Sequence, residues 1–85
     1  MPDVQDNIDD LIREEKRLSA IECHDEAWAA GLLAGIEADI IAEAAMSTAL
    51  SEVQRELGED AAIALLDRMR DRVIGGEFSP DTQRH

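Results

Sequence analysis

From Val4 to Val73, apolar residues return every third or fourth position and nowhere alternate strictly with polar ones. That spacing turns one face of an α-helix toward a core, whereas a half-buried strand needs a period of two. Five glycines and two prolines are all that interrupt 85 residues. The expectation is an all-α fold: a small helical domain of about three helices, one of them a long central helix, associating as a homodimer. A domain of this length buries roughly 60% of the surface of its unfolded chain, so its own core is marginal and self-association is a natural remedy.

Val4, Ile8, Leu11, Ile12 and Leu18 define a first helix over about 3–18. Asp3 or Asp6 is placed to cap it. Asp9 and Asp10 suit its positive end, and Arg13, Lys16 and Arg17 its negative end. Ser19-Ala-Ile-Glu22 has capping-box spacing, so a second helix is expected to start near residue 20. No Gly or Pro separates the two, so a continuous or merely kinked helix stays open, and His24-Asp25 offers a second break point. Gly58 is the next firm stop, which gives a central helix over 21–57 that Gly31, Gly35 or Ser47-Thr48 can bend. Glu59 or Asp60 is expected to cap a third helix over 60–74, with Ala62, Leu65, Leu66, Met69 and Val73 on its apolar face and Ile63 at the margin. Gly75-Gly76 ends it. Residues 1–76 are read as a single helical domain and 77–85 as a tail, with Phe78 folding back onto the last turn.

The expected central helix carries two contact faces. Trp28, Leu32, Leu33, Ile36, Ile40, Met46, Leu50, Val53 and Leu57 form the expected core stripe. On the other side run Ala27, Gly31, Ala34, Ala38, Ala42, Ala45 and Ala49, at heptad-like spacing and flanked by Gly35. Small side chains let two backbones approach closely, and this row is the expected dimer interface. Alanine is also the best helix former, so composition alone can produce the same row.

Charge is unevenly spread. Residues 1–60 hold 16 acids and 4 bases, and residues 61–85 hold 4 of each. The net charge of −12 therefore lies in the first two-thirds. Between residues 18 and 54 there is no Lys or Arg, but there are seven acids. Direct nucleic-acid binding is disfavoured, since phosphate contact needs cations. A protein partner with a basic surface is favoured instead. Glu26, Glu37, Asp39, Glu43 and Glu52 are the candidate partner-binding residues. The expected function is that of a small acidic inhibitor or regulator of a basic, nucleic-acid-binding protein. By size and charge alone it is similar to phage anti-CRISPR and anti-restriction proteins.

Other classes receive less support. Cys23 is the single cysteine, so an intramolecular disulfide is excluded, and cytoplasmic residence fits. The acidic N-terminus is not a signal peptide, and no 18-residue stretch lacks charge. No catalytic constellation, cofactor motif or multi-cysteine metal site is present, so the chain is not read as an enzyme. Cys23 and His24 are neighbours, pointing about 100° apart on a helix, and cannot easily share a metal.

Asp39 and Glu43 fall within the expected core stripe, with Asp25 and Glu22 on the same line. Charges are seldom buried unpaired, so these acids are expected to stand exposed at a groove edge, or to pair with Arg13, Lys16 and Arg17 of a first helix folded back antiparallel. As the alternative function, Glu22, Asp25 or Glu26, Asp39 and Glu43 form an acidic line that holds Mg²⁺ or Mn²⁺. Glu22-Cys-His-Asp25 resembles the first Glu-x-x-Glu motif of all-α nucleotide pyrophosphohydrolases of the MazG and dimeric dUTPase type, with Asp in the last place. Glu37-Ala-Asp39 is one residue short of their second motif, Glu-x-x-Asp, and the cations that grip nucleotide phosphates are missing here. The resemblance implies a metal-dependent nucleotide hydrolase. A third class is an antitoxin or accessory subunit held by apolar contacts.

Overall fold

The computed structural model describes residues 4–80, with side chains from residue 7 onward. Three helices follow in order: α1 (Val4–Leu33), α2 (Ala38–Leu57) and α3 (Glu59–Ile74). No strand occurs among the described residues, so the all-helical class is the one adopted. The capping role expected of Asp3 lies outside the described residues, and Asp6 sits within α1. By compactness the chain divides into two units, Met1–Ala42 and Glu43–His85.

In the first unit, the helix boundary expected near residue 20 is absent, because α1 runs unbroken for 30 residues through Ser19 and Glu22. A capping box stabilises a helix end only where the chain already departs from helical geometry. Serine in a helix interior costs under about 0.7 kcal/mol, too little to force that departure. The stop comes instead at Gly35, whose φ is 85°. Gly35 N–H donates to the Leu32 carbonyl at 3.0 Å, and Ile36 N–H donates to the Gly31 carbonyl at 3.1 Å. This pair of bonds is the Schellman arrangement, with glycine in the left-handed position just beyond the helix.

The helix expected over 21–57 is thereby divided at residues 34–37. α2 then starts on the Glu37 carbonyl, which accepts from the N–H groups of Ile40 and Ile41, both at 3.1 Å. Asp39 lies in the first turn, where a negative charge suits the helix dipole. Gly31 lets the start of α2 come close. A Cβ added at Gly31 would stand 2.8 Å from Ile41 Cδ1 and 3.2 Å from Cγ1. Ile41 and Ala42 are half-buried there.

The second unit is a helical hairpin. Gly58, at φ 96°, ends α2 as expected and also begins α3, so the cap expected of Glu59 or Asp60 falls to Gly58 and both acids lie within the first turn. Its N–H donates to the Gln54 carbonyl at 2.9 Å, and its own carbonyl accepts from Ala62 N–H at 3.3 Å. Ala62 is buried, and Leu50, Val53, Leu65 and Met69 are half-buried. The face expected of the third helix is therefore the one that turns inward, but Leu66 and Val73 stay 39% and 62% exposed.

α3 closes on a second Schellman arrangement. Gly76, at φ 82°, donates to the Val73 carbonyl at 3.1 Å, and Glu77 N–H donates to the Arg72 carbonyl at 3.1 Å. The side-chain contact across this motif is commonly apolar. Here it is an ion pair, Arg72 with Glu77. The Arg72 guanidinium also lies 5.2 Å from the Phe78 ring centroid. Phe78 thus folds back onto the last turn, and residues 77–79 belong to the helix end.

Candidate partner-binding surfaces

Ala62 is the one buried residue among those described. A chain that is 45% apolar would hide far more in a self-sufficient core. What remains exposed falls into an acidic part and an apolar part.

Each expected partner-binding acid is exposed. Glu26 lies on α1, Glu37 at the start of α2, and Asp39 and Glu43 one turn apart on α2. Asp39 Oδ1 accepts from Ile40 N–H at 3.0 Å, which fixes it against the first turn. Among the described residues no cation pairs with Glu22, Asp25, Glu26, Glu37, Asp39 or Glu43. Glu52 differs. It lies about half a turn round α2 from Glu43, and Arg55 binds both Glu52 and Glu56, the latter at 2.9 Å. The sequence also allowed Arg13, Lys16 and Arg17 to fold back onto the central acids. The continuous α1 carries them the other way along the same helix. Arg17 grips Glu14 instead, with Nε donating at 3.0 Å and Nη2 at 2.6 Å. Those bonds hold the Glu14 carboxyl below its usual range and raise Arg17.

No group of three His, Cys, Asp or Glu side chains is placed to hold a metal ion among the described residues. The placing of Asp39 and Glu43 on the stripe of Trp28 and Leu32 came from extrapolating one helix phase through residues 34–37. Both are exposed, and so are Glu22 and Asp25, which share the α1 face of Leu32, itself 47% exposed. The small-residue row is divided in the same way. Ala27 and Gly31 lie on α1, Ala34 and Gly35 in the turn, and Ala38, Ala42, Ala45 and Ala49 on α2. Gly31 is already occupied by Ile41 of the same chain. Cys23 is exposed on α1.

The apolar part was less visible in the sequence. Along α1, Ile8, Leu11, Ile12, Leu18 and Ile21 are each 44–70% exposed. In the hairpin, Met46, Ala49 and Leu50 of α2 and Leu65, Leu66, Met69 and Val73 of α3 line an open cleft of about 330 Å³. Two flexible methionines in such a wall suit a contact that adapts to its partner. The signal was available as spacing on α3, but it reads equally as core. No described helix is long and apolar enough to cross a membrane. No protein-family model, curated protein or solved structure matches this chain.

Proposed function

We propose that this protein is a small interaction module that binds a protein partner through its carboxylates, an inhibitor or regulator acting on a basic, nucleic-acid-binding surface. One observation carries the reading. Across residues 18–54, where no Lys or Arg occurs, six of the seven acids are exposed and lack a cationic partner among the described residues. Helix surfaces ordinarily mix signs and gain i,i+4 support from doing so. Carboxylates left unneutralised along helices can occupy cation sites that phosphates would otherwise fill. Glu26, Glu37, Asp39 and Glu43 carry the interaction, and Glu52 contributes less because Arg55 already neutralises it.

The test is a triple variant, Glu37→Gln, Asp39→Asn and Glu43→Gln, used as bait against host lysate through a salt series. At about 0.5–1 kcal/mol per exposed charge contact, the retained partner's affinity falls about ten- to hundredfold while the helical circular dichroism stays intact. Partner binding unchanged by the triple variant sinks the electrostatic reading. A second reading, an accessory subunit held by apolar contacts, is favoured by the exposed row Ile8, Leu11, Ile12, Leu18 and Ile21. It predicts a partner that resists salt and is lost on Leu11→Asp.

A further inference from the structure

One face of α3 repeats as a heptad and is left uncovered. Glu59, Ile63, Leu66, Arg70 and Val73 follow at spacings of four, three, four and three, the pattern of a helix–helix seam. Ile63 is 49% exposed, Leu66 39% and Val73 62%. Glu59 and Arg70 are exposed, and neither makes an ion pair among the described residues. The i,i+3 pairing of Asp67 with Arg70 that the sequence allows is not made either. The seam is therefore acidic at its start, apolar in its middle and basic near its end.

This polarity chooses both the occupant and its direction. A second copy laid parallel would set Glu59 against Glu59 and Arg70 against Arg70. A second copy laid antiparallel, with its two-fold axis between positions 64 and 65, sets Glu59 against the second copy's Arg70 and Ile63 against the second copy's Leu66. The two-fold then repeats both contacts, as a symmetric interface must.

We propose that the chain pairs with a second copy of itself through this face of α3, antiparallel, with two apolar layers held between two ion pairs. Leu66 and Val73 also line the cleft, so the pairing continues the apolar contact toward Met46. The interface uses none of the acids assigned to the basic partner and does not depend on that reading. It also differs from the small-residue row.

Sedimentation equilibrium of the full chain decides the matter. The expected species has twice the 9.3 kDa chain mass and dissociates on dilution. Glu59→Arg alone and Arg70→Glu alone each turn two attractions into two repulsions and raise the dimer Kd roughly tenfold. The double variant Glu59→Arg/Arg70→Glu restores it, because the swapped charges again face one another. Ile63→Asp removes the dimer. Ile63 does not line the cleft, so the helical circular dichroism is retained. A monomer up to millimolar concentration overturns the proposal. So does a dimer indifferent to these variants, or a double variant no tighter than the single ones.

Discussion

Replacing Gly35 with alanine isolates what ends α1. The residue stands at φ 85°, and no atom lies within 4 Å of where its Cβ would go. The new methyl therefore meets nothing, and the whole cost is that of its own backbone. Holding an L-residue in the left-handed region costs about 1–2 kcal/mol. Alanine also stiffens the unfolded chain, which returns about 0.4–1 kcal/mol. The net loss is about 1 kcal/mol, which for a domain of this length lowers Tm by about 4–8 °C. The assay is thermal melting by circular dichroism at one fixed protein concentration, because the proposed pairing would make Tm depend on concentration. Gly35→Asn should fall between, since asparagine tolerates the left-handed region. D-alanine in place of Gly35, installed by chemical synthesis, should raise Tm, because it stiffens the unfolded chain without strain in the folded one. If L- and D-alanine shift Tm equally, the handedness of this residue is not what ends the helix.

Other consequences follow from neighbouring contacts. Ile41→Val should cost about 0.5–1.5 kcal/mol alone. Combined with Gly31→Ala it should be better tolerated than the sum of the single changes, with a coupling above about 0.5 kcal/mol by chemical denaturation, because it removes the Cδ1 that a new methyl would meet at 2.8 Å. Hydrogen bonding from Arg72 holds the Glu77 carboxyl below its ordinary range. Its contribution is therefore complete above the ordinary carboxylate value and lost as pH falls through the lowered one. Carboxyl NMR should show Glu77 titrating late on acidification and returning to the ordinary range in Arg72→Ala. With a net charge of −12, the chain repels itself, so Tm should rise as NaCl goes from about 20 mM to about 500 mM. A flat response would mean the surface charges are too far apart to matter.

The sequence made the helical class, the stop at Gly58 and the inward face of α3 legible for a shared reason. Each rests on chemistry confined to one helix or one turn. The break at Gly35 was harder, because Gly31 and Gly35 are the same residue type four positions apart. What distinguishes them in the structure is that Ile41 packs against Gly31 while nothing lies within 4 Å of a Cβ at Gly35, a contact between elements that no local pattern encodes. Ser19 to Glu22 misled for the complementary reason: a good cap is permission to end a helix, and nothing there compels it. The error then spread, because a helical phase carried across residues 34–37 assigned Asp39 and Glu43 to the wrong neighbours. The unpaired state of the acids needed the structure, since only the course of α1 shows that Arg13, Lys16 and Arg17 do not fold back onto them.

Gly58 serves two helices at once, which leaves the hairpin no slack in length. Inserting one residue there would rotate the face of α3 by about 100°, swinging Leu65 and Met69 away from Leu50 and presenting charge in their place. A deletion would do the same in the opposite sense. Side chains around this joint can vary in kind, whereas their number cannot. Any longer or shorter relative that keeps the hairpin should therefore place its insertions and deletions away from position 58.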